Sequence, residues 1–388
     1  MRTKRAIIWL SLGHFVNDSY TGFINPVMPF IAAKLGITMA AAALVLSISN
    51  IFSSLLQPIF GFFADNMLKR LFIFWGLILV SIFIPLMTAA TNVHVLVIFI
   101  ILGSLGSSFY HPQSTGFVNR FAEAENAKEM GFFMSMGSAG YAFGPLIAAV
   151  VTQYFTMEKM PVTSVLGLTL AGFMFLCVPK LSLICPKPEY KKFKESFAAI
   201  LSDRTMNLLM TISMMKVLIS TSCCTLLPFL WKNEMGHSPL YIGTALFLFV
   251  LAGAIGSITS RNVEIMLGTR KLLYLSMCAT FPMLIIFHFT CHNHPILSLA
   301  MFIITGYTTM LGQPVTMVMG QKLMPQFKST VAGFMNGFAV GVIAVFLSLI
   351  GLCAEKFGIT NVLMFLSVIP FLVSHIIKYI PAKLVSTG

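Results

Sequence analysis
The sequence predicts an all-α polytopic membrane protein, with twelve transmembrane helices in two six-helix pseudo-repeats. Three observations lead there. Hydrophobic residues make up 57% of the 388-residue chain and charged residues 10%, with a mean hydropathy of +0.89, a balance foreign to soluble domains. The apolar residues fall in continuous runs of about 20, long enough to cross a bilayer as helices and without the alternation of a membrane β-barrel. Lys and Arg collect in every second break between the runs, as a positive-inside orientation requires.

The expected spans are residues 6–33, 42–64, 70–90, 94–119, 128–155, 162–179, 205–231, 239–259, 271–290, 295–321, 329–354 and 360–380. Each must be helical, because lipid offers no partner to backbone N–H and C=O groups. With the N-terminus inside, 20 of the 25 Lys and Arg lie on the cytoplasmic side, four lie outside, and Lys216 falls within a span. Both termini are therefore expected in the cytoplasm of a bacterial inner membrane. The same bias accounts for the net charge of +13 without a nucleic-acid partner. The first run is too long for a cleavable signal peptide and closes on no small-residue cleavage site. The seven Cys show no CxxC spacing and read as small apolar residues.

Taken in order, the spans are unevenly informative. The first, IIWLSLGHFVNDSYTGFINPVMPFI, holds Asp18, the one carboxylate expected deep in lipid. An Asp at mid-bilayer costs about 2.5–3.5 kcal/mol, so it needs a partner, a polar cavity or a proton. His14 is four residues earlier and shares a helix face with Asp18, Thr21 and Asn25. That pair suits proton coupling; the alternative is a structural hydrogen-bond cluster pinning the first helix to its neighbours. Asn25-Pro26 and Pro29 are expected to break the outer part of this helix. In the fourth span His111, Pro112 and Gln113 make a polar, proline-bearing stretch suited to a substrate wall, and Gln313-Pro314 is its counterpart in the tenth. The seventh span buries Lys216, a candidate partner for Asp18 or for an anionic substrate. Tyr141 and Asn336 are further substrate candidates.

Residues 180–204, KLSLICPKPEYKKFKESFAAILSDR, form the longest polar stretch and divide the spans six and six. The expected domains are 1–179 and 205–388, joined by a basic cytoplasmic tether, with an amphipathic helix on the membrane surface as the alternative for that segment. Short echoes at an offset near 200 support a duplication: MPFIAAKLG with LPFLWKNEMG, GFFAD with GSITSR, HPQ with QPV, and GFFMSMG with GFMNG. Two packed repeats place a cavity at their interface near the midplane.

GFFADNMLKR resembles the G-x-x-x-D-R-x-G-R-R/K loop of the major facilitator superfamily through Gly61, Asp65, Lys69 and Arg70; Asn66 and Leu68 depart from it. GSAGYAFGPLIAA in the fifth span resembles the superfamily's antiporter motif through Gly137, Gly140, Gly144 and Pro145, with Ala148 and Ala149 where Gly is usual. Within that superfamily the chain is most similar to the fosmidomycin-resistance efflux family. His14, Asn17 and Asp18 match its H-x-x-N-D opening, FYHPQST its FHPEAS signature with Gln113 in place of Glu, and Lys216 a basic position in its seventh span. The resemblance implies the major facilitator fold and alternating access. It also implies gating by the Gly61–Arg70 loop together with Arg120, Gly144 and Pro145.

The expected function is that of a secondary transporter, not an enzyme. It would export a small anionic or amphiphilic compound in exchange for protons, with Asp18 and His14 carrying the proton and Lys216, His111, Gln113, Asn17, Tyr141, Gln313 and Asn336 lining the substrate path. No cofactor is expected: there is no Walker loop, no HExxH, and no nucleophile beside the membrane His and Asp. The outer-loop His288, Cys291, His292 and His294 match no established metal spacing. The partners expected are a small molecule, protons and the bilayer, with the protein a monomer. Proton-symport uptake on the same fold, an integral-membrane enzyme and a non-transporting sensor are the alternatives.

Overall fold
The computed structural model describes residues 2–66, 70–121, 127–179, 193–325 and 328–385. Its helices are α1 Arg2–Leu35, α2 Met39–Asn50, α3 Gln57–Asn66, α4 Leu71–Leu86, α5 Val93–Phe121, α6 Ala127–Tyr154, α7 Ser164–Cys177, α8 Phe193–Ser202 and α9 Arg204–Phe229. They continue as α10 Pro239–Leu267, α11 Thr269–Cys278, α12 Thr280–Thr290, α13 Pro295–Met310, α14 Gln313–Leu323, α15 Lys328–Gly333, α16 Ala339–Phe357, α17 Ile359–Val373 and α18 Ala382–Val385. No strand occurs among the described residues.

Eleven helical stretches among the described residues are long and apolar enough to cross a membrane. The 34-residue α1 is long enough but is not one of the eleven. His14, Asn17, Asp18 and Asn25 dilute its hydropathy, so the helix that carries these polar residues is one that composition alone passes over.

The chain divides into two compact units. The first holds Met1–Thr38, Val45–Lys191 and His237–Phe247; the second holds Met39–Leu44, Lys192–Gly236 and Leu248–Gly388.

In the first unit α1 packs along α6, the most extensive helix pair among the described residues, and also against α4, α5 and α7. Small residues on α6 permit that approach. A Cβ at Gly137 would run into the His14 imidazole, one at Gly140 into the Phe15 carbonyl, and one at Gly144 into the Ser19 carbonyl. The glycines of GSAGYAFGPLIAA are therefore the surface on which α1 lies. α1 is continuous to Leu35, so the expected break at Pro26 and Pro29 does not occur. Each proline removes one intrahelical bond, but Gly22 seats against Gly144 and Pro145, and the neighbouring helix holds the axis through the gap. From α5, Tyr110 donates to the Leu10 carbonyl (2.6 Å) and fixes α5 on the other flank of α1.

In the second unit α9 packs against α13, α14, α16 and α17. Asp203 caps it, its Oδ1 accepting the Met206 N–H at 2.7 Å. The polar stretch before it differs from a solvated tether: residues 193–202 form α8, with Ile200 buried and Phe197 edge-on to Phe334 at 4.7 Å between ring centroids. Its periodic apolar face reaches the hydrophobic cluster formed by α9, α14 and α15. Residues 180–192, most of the basic segment, lie outside the described residues.

The span Pro295–Leu323 is discontinuous. α13 stops at Met310, Gly312 takes the left-handed conformation (φ +82°), and α14 begins at Gln313. Only glycine enters that region without a Cβ penalty. Ser260 Oγ accepts the Gly312 N–H at 2.8 Å, satisfying a backbone donor the break exposes. α5, which bears the parallel His111-Pro112 motif, runs through its proline unbroken.

Candidate functional site
The site in the first unit is assembled from three helices. α1 supplies His14, Asn17 and Asp18; one turn separates His14 from Asp18, so both project from one face. α5 supplies Ser107 and His111, again four residues apart. α6 supplies the Phe133 carbonyl.

Asp18 is the hub. His14 Nε2 lies 3.3 Å from Asp18 Oδ2, and His111 Nε2 lies 3.2 Å from Oδ1. Asn17 Nδ2 donates to Asp18 Oδ1 at 2.9 Å and to Ser107 Oγ at 3.3 Å, and stands 3.2 Å from His111 Nε2. His14 and Asn17 are buried, whereas the Asp18 and His111 side chains keep 15% and 24% of their surface exposed.

Hydrogen-bond valence then fixes the protons. His14 Nδ1 lies 2.9 Å from the Phe133 carbonyl oxygen, which can only accept, so Nδ1 carries a hydrogen. The Phe133 ring stacks on the imidazole at 4.2 Å and holds it in that orientation. Neutral His14 therefore presents a lone pair at Nε2 to a carboxylate oxygen. Two acceptors 3.3 Å apart are bonded only when one proton sits between them. His111 Nε2 faces both an acceptor, Asp18, and a donor, Asn17, so its tautomer selects which contact it makes. The Asn17 amide nitrogen has three polar neighbours, while its buried Oδ1 has no hydrogen-bond partner among the described residues.

The other expected residues lie apart from this hub or outside the description. Gln113, one turn of α5 from Phe109, is buried and accepts the Ile73 N–H at 2.8 Å; it caps the first turn of α4. Tyr141 is a half-exposed residue of α6. In the second unit Lys216 is 2% exposed and its Nζ donates to the Leu311 carbonyl at 2.9 Å, at the break between α13 and α14. Gln313 opens α14 there, its buried Oε1 without a hydrogen-bond partner among the described residues. Asn336 lies at the wide turn Phe334–Phe338, its side chain outside the description.

Among the expected gating residues, Arg70 donates to the Val178 carbonyl at the end of α7 and lies over the Phe74 and Phe175 rings, 5.2 and 5.0 Å from their centroids. Gly144 and Pro145 form the α1–α6 contact. Gly61 and Asp65 fall on α3 and Arg120 on α5, with side chains outside the description, and Lys69 lies outside the described residues. Sequence reasoning missed Ser107 and Phe133. Ser107 is legible in retrospect as the residue one turn before His111. Phe133 acts through its carbonyl and its ring face, which no residue pattern announces.

Comparison with known proteins agrees with this architecture. The chain is similar to the Fosmidomycin resistance protein of Escherichia coli (strain K12), 22% identical over 377 residues, with 94% of this chain and 89% of that protein covered. It is similar over a shorter stretch to the Quinolone resistance protein NorA of Staphylococcus aureus, 26% identical over 141 residues, 36% of each chain. Its fold is similar to the crystal structure of a bacterial homologue of the human lysosomal transporter Spinster, inward-facing and unoccupied, with a TM-score of 0.82 at 13% identity, covering 100% of this chain and 99% of the other. The Major Facilitator Superfamily profile matches residues 10–349, and the chain belongs to that superfamily of transporters, not to an enzyme family.

Proposed function
We propose that this chain is a proton-coupled secondary transporter that exports a small anionic or amphiphilic compound by alternating access. The observation that carries the reading is the His14–Asp18 pair: Phe133 takes the hydrogen of Nδ1, so the contact between Nε2 and the carboxylate closes around a single proton. A site that is bonded with the proton and repulsive without it has two states, which is what coupling needs. The part-exposed His111 and the buried Asn17 both contact Asp18 Oδ1 and give substrate arrival a route to disturb the pair.

In this reading α1 is a twelfth span, the repeats are 1–179 and 205–388, and the protein is a monomer in a bacterial inner membrane with both termini in the cytoplasm. Lys216 attracts the anionic end of the substrate. Among the described residues its buried Nζ has one acceptor, the neutral Leu311 carbonyl, and an arriving anion would stabilise the charged form of that amine. Tyr141, Gln313, Asn336 and Gln113 line or support the path; Gly61, Asp65, Lys69, Arg70, Arg120, Gly144 and Pro145 govern opening. Relatives named for resistance to fosmidomycin and to quinolones support export over uptake.

The test is transport in proteoliposomes with a fixed inside-out pH gradient. Adding substrate to the side of export should move protons in the opposite direction to substrate, and Asp18→Asn should abolish that proton movement. Proton movement with substrate would establish symport instead. Undiminished proton-driven transport in the Asn variant would remove Asp18 from the mechanism.

A further inference from the structure
The geometry points to a second occupant for the hub. We propose that His14, Asp18 and His111 bind a divalent transition ion of the zinc class, and that the bound ion arrests the transporter.

One ligand atom from each of His14, Asp18 and His111 lies within 4.8 Å of the others. His14 Nε2 lies 3.3 Å from Asp18 Oδ2 and His111 Nε2 3.2 Å from Oδ1, so the carboxylate bridges the two imidazoles, each spacing near the roughly 3.3 Å between donors that stand about 2.0–2.1 Å from a tetrahedral ion. Two imidazoles and one carboxylate are ligands that zinc, cobalt and nickel prefer over magnesium or calcium.

Two independent observations go beyond donor type. His14 Nδ1 donates to the Phe133 carbonyl, the outer contact by which metal-binding histidines fix the tautomer that turns the Nε2 lone pair to the ion. Asn17 is fully buried beside the hub, and its amide nitrogen donates to Asp18 Oδ1, the outer hydrogen bond that orients a ligating carboxylate. The exposed edges of Asp18 and His111 provide entry.

Binding needs only these residues. The arrest of transport rests on the proposed proton coupling, because the ion takes the position of the proton between His14 and Asp18.

The experiment uses the full-length purified protein. Zn2+ binding is measured by calorimetry, Co2+ by its ligand-field absorption, and thermal midpoints are recorded with Zn2+ and with Mg2+. The wild type should bind one Zn2+ per chain and gain thermal stability from Zn2+ but not from Mg2+. His14→Gln and His111→Gln should each weaken binding at least about ten-fold. A His292→Gln/His294→Gln variant, which removes two outer-loop histidines, should bind as the wild type does. Binding lost in the outer-loop variant and kept in His111→Gln, or equal stabilisation by Mg2+, would overturn the site. In proteoliposomes Zn2+ should stop proton-driven transport and a chelator should restore it. Zn2+ that binds at the hub while transport runs at full rate would overturn the arrest and leave the site standing.

Discussion

His14 Nδ1 stands 2.9 Å from the backbone carbonyl of Phe133, and this contact decides which nitrogen of His14 faces Asp18. The carbonyl reaches that position because α6 can lie against α1, and α6 can do so because Gly137 presents no side chain beneath the imidazole. A glycine motif, a tautomer and a proton position are thus links in one physical chain.

Gly137→Ala tests that chain. The added methyl would meet the His14 ring, so overpacking should cost about 1–3 kcal/mol and displace the imidazole from Asp18. Thermal denaturation should show the loss, and proton-driven transport should fall with it. Gly172→Ala in α7 is the control: nothing lies near its added Cβ, and its stability should be unchanged or raised by up to about 1 kcal/mol.

Asp18→Asn removes the acceptor that shares a proton with His14. Proton-driven accumulation should fall at least about ten-fold, while exchange of substrate for substrate, which needs no net proton movement, should persist. Paired accumulation and exchange assays on the same vesicles check this. Equal loss of both would mark Asp18 as a substrate or structural residue.

Gln113→Leu should act on stability and not on coupling. It leaves the buried Ile73 N–H without its side-chain acceptor, at a cost of about 1–3 kcal/mol. Gln113→Glu keeps an acceptor and should lose less. Thermal midpoints of the three proteins order the outcome, and a Leu variant as stable as the wild type would contradict the capping role.

Lys216→Met separates charge from packing. Replacing a buried cation by an apolar chain of similar length should leave stability unchanged or raise it. Affinity for an anionic substrate should fall at least about ten-fold, since a charge-assisted contact is worth about 1.5–3 kcal/mol. Binding of a transported anion to wild type and variant, beside their thermal midpoints, reads both effects.

Much of this was legible along the chain. Continuous apolar runs and one-sided Lys and Arg determined a multi-span helical membrane protein, because lipid imposes helix length and backbone satisfaction on any sequence that enters it. The His14–Asp18 pair was equally legible, since both residues belong to one helix and helical geometry alone makes them neighbours. The close α1–α6 approach was half legible: small residues at helical spacing announce a contact, but not its partner.

Tertiary structure decided the rest, because those relationships join groups distant in sequence or belong to the backbone. His111 reads on its own helix as part of a substrate wall, yet it stands on Asp18, and Asn17 meets it across 94 residues. Gln113, its near neighbour in sequence, turns instead to cap α4. Pro26 and Pro29 look like helix breakers, and a neighbouring helix carries α1 through them; Gly312, which no pattern singled out, makes the break instead and sets the Leu311 carbonyl before Lys216. The Phe133 carbonyl is present in every residue type, and only the packing of α6 on α1 makes this one fix the proton on His14.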